Sequence, residues 1–396
     1  MKTIFLGFFF DQRKEQELLQ ISKIGIPTAS NQYQNGFLEG GGQEVDIISI
    51  LPVGTYPKWN KRLYIHREMQ NTKWGRIHYL PFINFYGIKE VMQFTEIYKT
   101  LASYISDNAR TVIYVYSLYM PFLHAIRRLK KKFDNIHCIL IVPDLPGKYG
   151  IMRRAVSLGG IRDRFEAKQK MKFVKYADAF VFLTEQMKDL FPPRPYTVIE
   201  GFLPQCSFDN IPKRIPKSIL YTGSLNKAFG IEKLLNAFLM INDKDFQLWI
   251  CGAGGEQAVV EDYVKRDPRI KYYGFVSKEK IVQLQTACEV LVNPRPNADA
   301  FTKYSFPSKT MEYLLSGSKV VMYRLAGVPA EYYDYIYMIN GDRLEDLKDT
   351  LINACSDESF YRSKSSLQIE WIKNRKNAVI QCQKLENIYS ELGRLS

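Results

Sequence analysis

Short apolar runs alternate with amphipathic stretches along almost the whole chain. The runs predict strands over 2–10, 46–51, 77–81, 111–116, 137–142, 179–183, 196–199, 218–222, 246–251, 270–274, 289–293, 319–323 and 335–339. Many of the intervening stretches repeat their apolar positions with helical spacing, as in 92–106, 121–132, 231–241, 278–287 and 308–315. This alternation predicts an α/β fold of doubly wound parallel sheets with helices on both faces.

The chain has 396 residues, which is enough for two such sheets. The stretch Ile211–Lys217 is rich in proline and basic residues and is the best linker. We therefore predict two Rossmann-like domains, each with a doubly wound parallel sheet, over 1–204 and 205–365. A long helical pattern over 366–396 follows, and packing back on the first domain is one option for it.

The first apolar run, Ile4–Phe10, has the composition of a signal-peptide core. The charged residues Asp11–Glu15 follow it at once, without a small-residue cleavage site, so we predict a buried first strand instead. The six cysteines are scattered, as expected for free thiols in a reducing compartment. These observations predict a cytoplasmic protein.

Positive charge is concentrated in the first half of the chain. The net charge is +14, and residues 1–200 carry 29 Lys and Arg against 18 Asp and Glu. Such a half is typical of proteins that bind nucleic acid, an anionic membrane or an anionic substrate. No nucleic-acid-binding motif is present, so we expect no nucleic acid. For the basic runs 127–132 and 153–175, a solvated helix face and peripheral attachment to the inner face of the cell membrane both remain open.

The run Ser305–Gly317 contains more candidate ligand-binding features than any other part of the chain. Pro307 suits the first position of a helix, whose amino-terminal amides, at Ser308 and Lys309, favour an anion. Glu312 follows one turn later, and Gly317 suits the end of the helix. By itself this run fits a phosphate site and an ordinary capped helix equally well.

Four further strand ends in the second half carry glycine or a cation. They hold, in order, Gly223 with Ser224 and Lys227, Gly252 with Gly254, Gly274 with Phe275 and Val276, and Arg295. The carboxyl ends of parallel strands meet at one edge of a sheet, where ligands bind. We therefore expect these turns to converge with the helix that begins near Ser308.

Together these turns resemble the donor half of retaining glycosyltransferases of the GT-B fold, family 4, over roughly 195–345. The resemblance implies a nucleotide-diphospho-sugar donor, with a UDP-sugar favoured. It also implies a surface-glycan acceptor such as capsule or O-antigen, and a lipid-linked form of that glycan is one option. It assigns the donor diphosphate to Gly223, Ser224, Lys227, Ser308 and Lys309, the ribose to Glu312, and the base to Gly274, Phe275 and Val276. It also implies that the two Rossmann-like domains face a central cleft and that the first domain binds the acceptor.

Two positions depart from the family pattern. Tyr304 stands where the family has a glutamate that helps hold the sugar, and Ser224 stands where an arginine is usual. We hypothesise that Arg295 supplies the missing positive charge at the diphosphate.

The sequence predicts no metal and no cofactor. Its single Asp-x-Asp, at Asp243 and Asp245, precedes a strand and so lies at the opposite edge of the sheet. Fixed cations at Lys227, Arg295 and Lys309 can instead stabilise the departing diphosphate.

Two residues of the first half are candidates for catalysis. Asp144 follows the strand 137–142, where it would face the cleft, although an Asx turn explains it equally well. His124, near the start of a helix, is the alternative. A nucleotide-sugar epimerase or phosphorylase on the same fold, and a non-catalytic nucleotide- or RNA-binding scaffold, remain as other functions.

Overall fold

The computed structural model describes residues 2–42, 44–105, 109–146, 158–204, 214–297 and 300–394. The chain divides into two compact units. The first unit comprises Met1–Phe202 with Ala378–Ser396, and the second comprises Leu203–Asn377. Each unit is built around one large, mainly parallel sheet, which confirms the predicted α/β fold.

The strands described in the first unit are β1 (Lys2–Gly7), β2 (Asp46–Ser49), β3 (Tyr64–Ile65), β4 (Glu68–Thr72), β5 (Gly75–Tyr79), β6 (Phe82–Ile83), β7 (Thr111–Tyr116), β8 (Ile136–Val142), β9 (Ala179–Phe182) and β10 (Tyr196–Val198). Eight of them form a sheet in the order β10-β9-β8-β7-β1-β2-β5-β4, in which only the β4–β5 pair is antiparallel. The strands β3 and β6 form a small antiparallel pair. The prediction that the amino terminus forms a buried strand is confirmed, because Ile4, Phe5 and Leu6 are almost fully buried in β1.

The helices described up to residue 202 are α1 (Gln12–Ile21), α2 (Thr28–Gly40), α3 (Lys89–Tyr104), α4 (Met120–Lys130) and α5 (Leu158–Phe173). Three basic side chains of the run in α4 make contacts within the first unit. Arg127 and Arg128 lie over the rings of Phe173 and Tyr98, at 5.3 and 4.5 Å from the ring centroids. Lys130 forms an ion pair with Asp178. Of the other basic run, residues 153–157 lie outside the described residues.

The strands of the second unit are β11 (Ile215–Thr222), β12 (Gln247–Cys251), β13 (Ile270–Tyr272), β14 (Cys288–Asn293), β15 (Lys319–Tyr323) and β16 (Ile336–Ile339). They pair in parallel in the order β13-β12-β11-β14-β15-β16. The order reverses between β11 and β14, and sheets of this kind bind ligands beyond the strand ends at such a point. The predicted linker 211–217 is wrong from residue 215 onward, because Ile215 already pairs with Cys288 of β14.

The helices of the second unit are α6 (Ile231–Leu239), α7 (Gln257–Arg266), α8 (Lys278–Ala287), α9 (Lys309–Leu315), α10 (Leu344–Ser356), α11 (Phe360–Ser363) and α12 (Ser365–Lys376). Helix α6 shows why they pack on the sheet. Its apolar residues Ile231, Leu234, Leu235 and Phe238 recur with helical spacing, form one stripe and are fully buried. No helix among the described residues is both long and apolar enough to cross a membrane.

The predicted single helix over 366–396 is wrong. After α12 the chain forms α13 (Ala378–Gln383) and α14 (Leu385–Arg394). The break falls at Asn377, whose backbone is extended and whose side chain bonds back to the carbonyl of Lys373. Helix α12 packs in the second unit through Gln368, whose amide donates to Leu314 O at 2.7 Å. Helix α13 packs in the first unit through Gln381, whose amide donates to Gly201 O at 2.9 Å.

Candidate functional site

The loops at the carboxyl edge of the second sheet are bonded to each other through their backbones. Gly223, after β11, donates its amide to Cys251 O at 3.0 Å, and Gly252, after β12, donates to Gly274 O at 2.8 Å. Three successive strand ends therefore form one continuous surface, and the glycine turns singled out in the sequence converge on it.

Two glycines allow this close approach. Gly252 has a φ of +143°, and a Cβ there would lie 1.8 Å from Gly223 O. Gly230 has a φ of +77°, and a Cβ there would lie 2.2 Å from Pro294 O. Both positions exclude side chains on steric and conformational grounds. The Gly230 contact joins the loops after β11 and β14, on the two sides of the point where the strand order reverses.

The loop after β11 presents Ser224 and Lys227 to solvent. Asn226 accepts the amide of Ala228 at 2.9 Å and so caps the short 3-10 turn that begins at Lys227. The Tyr221 hydroxyl donates to Ser224 O at 2.8 Å and so ties the loop to the end of β11. Among the described residues, nothing pairs with the Lys227 ammonium, so this cation is available to an anion.

Arg295, after β14, is a largely buried cation. Its guanidinium lies over the Phe229 ring at 4.3 Å, and Nη1 donates to Ser305 Oγ at 3.3 Å. Its Nε has no hydrogen-bond partner, and no carboxylate in the described part of the chain pairs with it. Burial lowers the pKa of Arg295 to about 10. The described residues therefore compensate its charge poorly, as expected for a group that binds an anionic ligand.

The predicted start of the phosphate-site helix needs correction. Helix α9 begins at Lys309, and Pro307 precedes the N-cap Ser308 instead of occupying the first helical position. The amide of Thr310 donates to Pro307 O at 2.9 Å, so the first turn closes only after the proline. Ser308 is exposed and makes no side-chain capping bond. The predicted end is confirmed, since Gly317 has a φ of +70°.

Glu312 lies in the first turn of α9 and is mostly buried. Its Oε2 accepts from Lys309 Nζ at 2.7 Å and from Gln285 Nε2 at 3.4 Å. The same Gln285 amide lies 3.5 Å from Thr222 Oγ1, at the end of β11. The Tyr313 hydroxyl donates to Thr222 O at 3.1 Å. These bonds hold the carboxylate and ammonium of α9 beside the glycine turn at the end of β11.

Gln285 and Tyr313 are site-supporting residues that sequence reasoning missed. Gln285 is fully buried, and its Oε1 has no partner. Its place in α8 was a usable signal, because Gln285 comes four residues after Ile281 and shares its apolar face. A polar residue in such a stripe indicates a buried hydrogen bond. Tyr313 gave no comparable signal within the apolar sequence of α9.

The loop after β13 offers an exposed aromatic ring. Gly274 has a φ of +68°, and Phe275 is 87% exposed, more than any other large hydrophobic residue that the structure describes. Val276 is half-buried against the core of the second unit. The Tyr272 hydroxyl donates to Gly252 O at 2.8 Å and ties this loop to its neighbour. The ring of Phe275 is therefore free to stack on a ligand.

Tyr304 ends a 3-10 segment, Ala300–Tyr304, and is half-buried. The next residue, Ser305, holds the Arg295 guanidinium. Arg295 therefore lies beside the position where the family pattern has its first glutamate.

The Asp-x-Asp sequence lies at the amino edge of the sheet. Lys217 Nζ contacts Asp243 Oδ2 at 2.7 Å and Asp245 Oδ2 at 3.2 Å. Asp243 and Asp245 precede β12, and Gly223 follows β11, so the two features lie at opposite ends of these parallel strands. These aspartates therefore do not join the converging turns.

The two catalytic candidates of the first half lie in the first unit. Asp144 is exposed, and its Oδ1 accepts the amide of Leu145 at 2.8 Å. His124, on α4, packs between the rings of Phe94 and Phe173 at 6.0 and 4.5 Å. Burial of the imidazole, together with the charge of Arg127, lowers the pKa of His124. The contacts of His124 are those of aromatic packing.

Residues 216–357 match the sequence model of a family described as "Glycosyl transferases group 1". The chain has the GT-B fold, and its second unit carries a domain that matches group 1 glycosyltransferases. The predicted enzyme class is thereby confirmed, and the domain match includes every strand-end turn described above for the second unit. No curated protein sequence matches the chain.

Solved glycosyltransferase structures share the fold. Sucrose-phosphate synthase from Thermosynechococcus elongatus is 16% identical, with 100% of each chain covered and a TM-score of 0.65. A TarM variant from S. aureus, in complex with UDP and α-GlcNAc-glycerol among other ligands, is 11% identical, covers 98% of this chain and 100% of its own, and has a TM-score of 0.61. The lipopolysaccharide outer core galactosyltransferase WaaB is 14% identical, covers 98% and 99%, and has a TM-score of 0.62.

Proposed function

We propose that this glycosyltransferase is a retaining enzyme that transfers a sugar from a UDP-sugar to a lipid-linked surface glycan at the inner face of the cell membrane. The observation that carries the donor part is the convergence of Lys227, Arg295 and Lys309 with Glu312 at the point where the strand order reverses. The UDP in the TarM variant supports the choice of base. The lipopolysaccharide named for WaaB and the basic first half support a surface-glycan acceptor.

The cations supply the electrostatic part of catalysis in this proposal. Transfer breaks the bond between the anomeric carbon and the β-phosphate oxygen and forms a bond from that carbon to an acceptor oxygen. Negative charge therefore grows on the departing diphosphate. Arg295 and Lys227, neither paired with a carboxylate in the described chain, stabilise this charge, and Lys309 adds to it. We propose that no metal ion is required.

The remaining donor contacts follow from the same geometry. Glu312 is held beside the end of β11 by Gln285, at a place where its carboxylate can accept the ribose hydroxyls. Phe275 presents its ring to the base. Asp144 stays our proposal for the acceptor side, as an exposed carboxylate following β8.

Two measurements test the proposal. A thermal-shift screen of UDP-, GDP-, ADP- and dTDP-sugars should show the largest stabilisation with a UDP-sugar. Release of UDP should then depend on an added glycan acceptor, and the product should keep the anomeric configuration of the donor. UDP release that is indifferent to every acceptor, or an inverted product, would refute transfer or retention respectively.

A further inference from the structure

The guanidinium of Arg214 joins the carboxyl ends of two helices. Its Nη1 donates to Thr286 O, in the last turn of α8, at 2.9 Å, and its Nη2 donates to Ser316 O, at the C-cap of α9, also at 2.9 Å. Its Nη1 bonds further to Cys288 O at 3.1 Å and to Ser318 Oγ. The free carbonyls at a helix end carry partial negative charge, so a cation is stabilising there.

Arg214 is committed to these carbonyls. In the sequence it belongs to the predicted linker Ile211–Lys217, yet its side chain is half-buried and lies over the Tyr361 ring at 5.0 Å. It forms no ion pair with any residue that the structure describes. Burial lowers the pKa of Arg214. Because a cation without a carboxylate is costly to bury, the carbonyl bonds are what offset that cost.

The bonds of Arg214 lie close to the carboxylate assigned to the ribose. Gln285, which precedes Thr286 in the chain, donates its side-chain amide to Glu312 Oε2 at 3.4 Å. Glu312 lies one turn before Ser316, whose backbone amide donates to Glu312 O at 3.0 Å. Arg214 therefore bonds next to both members of the pair formed by Gln285 and Glu312.

Helix α12 holds the same end of α9. Gln368 is fully buried, and its amide donates to Leu314 O at 2.7 Å and to Ser318 O at 3.1 Å. Ser365 Oγ donates to Gly317 O at 2.8 Å. A Cβ on Gly317 would lie 2.9 Å from that hydroxyl oxygen, so a side chain there would prevent this approach.

The short length of α9 makes its position dependent on these bonds. The helix has seven residues, and its N-cap Ser308 makes no side-chain capping bond. Helices of this length are not stable in isolation. The orientation of α9, and with it that of Glu312, is therefore set by tertiary contacts.

We propose that Arg214 and Gln368 are positioning residues of the donor site. They hold α8 and α9 so that the Glu312 carboxylate meets the ribose hydroxyls, and neither of them touches the donor. This inference rests on the proposed function, which it deepens by assigning the residues that govern recognition of the ribose.

Calorimetry with UDP and with 2′,3′-dideoxy-UDP tests the inference on the full-length protein. The wild type should bind UDP about tenfold more tightly than the dideoxy nucleotide. Arg214→Met and Gln368→Met should each reduce this preference to less than about threefold, at a temperature where circular dichroism shows the variant folded. Arg214→Lys should recover part of the preference, because it keeps the charge but lacks the planar guanidinium that reaches both helix ends.

Two matched controls separate positioning from stability. Arg269 is mostly buried and donates to Ile241 O at 2.7 Å, so Arg269→Met removes a similar carbonyl bond in the same unit, away from α8 and α9. Gln381 is fully buried like Gln368 and donates to Gly201 O at 2.9 Å, but it belongs to α13 of the first unit. Arg269→Met and Gln381→Met should lower the unfolding temperature and keep the preference for UDP.

A double substitution tests whether Arg214 acts through Glu312. Glu312→Gln by itself should abolish the preference for UDP, and adding Arg214→Met should reduce the preference no further. If Arg214→Met does not fold, the combination of Gln368→Met with Glu312→Gln decides in the same way.

The outcomes distinguish this inference from the proposed function. If Arg214→Met and Gln368→Met keep the wild-type preference, or if the two controls lose it as well, the inference is overturned, and a loss of preference in Glu312→Gln would still uphold the ribose contact. A wild type that binds both nucleotides equally would refute the ribose contact and the inference together. If Arg214→Met and Gln368→Met alone lose the preference but no acceptor promotes UDP release, the inference stands and transfer is refuted.

Discussion

Replacing Arg295 with methionine should have opposite effects on stability and on donor binding. The methionine keeps most of the apolar contact with Phe229 and removes the charge. The lowered pKa of Arg295, about 10, corresponds to about 3 kcal/mol of lost solvation at most. The substitution also loses a long hydrogen bond from the charged guanidinium to Ser305, at 3.3 Å, and a cation–π contact, together about 2 to 3 kcal/mol. The free protein should therefore be as stable as the wild type or more stable by about 1 kcal/mol.

Donor binding should respond in the other direction. A hydrogen bond between a charged pair contributes about 1.5 to 3 kcal/mol, so losing the contact between Arg295 and the diphosphate should weaken UDP about ten- to hundredfold. Arg295→Lys should recover part of the affinity for UDP. It restores the positive charge but lacks the planar guanidinium, which can donate two parallel hydrogen bonds to a phosphate. Calorimetry with UDP and with uridine separates the contribution of the diphosphate from that of the nucleoside. Uridine lacks the diphosphate, so it should bind the wild type and Arg295→Met equally.

The control and the refuting result are well defined. Arg266 is also stacked on a ring, that of Tyr263 at 5.0 Å, but it is exposed on α7. Arg266→Met should change neither stability nor UDP affinity appreciably. If Arg295→Met instead unfolds at lower temperature and binds UDP like the wild type, Arg295 is a structural residue and the proposed diphosphate role is wrong.

Further predictions concern the ribose, the base, the loop packing and the metal. Glu312→Gln should weaken UDP about tenfold but leave 2′,3′-dideoxy-UDP unaffected, because only the hydroxylated ribose meets the carboxylate; equal losses for both ligands would contradict this. Phe275→Ala should change the free energy of unfolding by less than about 0.5 kcal/mol, since the ring is 87% exposed, yet weaken UDP in calorimetry; unchanged affinity would remove Phe275 from the base site. Gly252→Ala should destabilise the protein by about 2 to 4 kcal/mol in denaturant titration, because its Cβ would lie 1.8 Å from Gly223 O. Transfer activity should persist in excess EDTA, and complete loss that Mg²⁺ restores would contradict a metal-independent mechanism.

The convergence of the strand-end turns in the second unit was predictable from the sequence because of how parallel sheets are built. Alternating strands and helices place every strand's carboxyl end on one edge, so Gly223, Gly274 and Arg295 converge without any knowledge of packing. Two of the glycines singled out in the sequence, Gly252 and Gly274, occupy backbone conformations that favour glycine. A pocket in the first unit, whose lining includes Lys89 and Gln93, had no such local signal. These two residues look like ordinary helix residues until β1, β2 and β7 place walls around them.

Strand alternation, strand polarity and the clustering of glycines and cations were determined by the sequence alone, because each depends on short-range periodicity or on the direction of neighbouring strands. Tertiary structure decided which of those cations lack partners and where the terminal helices go. No carboxylate among the described residues pairs with Arg295, whose guanidinium packs over Phe229, and the chain turns at Asn377, so that α12 packs in the second unit and α13 in the first. Such outcomes depend on contacts between residues far apart in the chain. The local sequence pattern therefore cannot predict them.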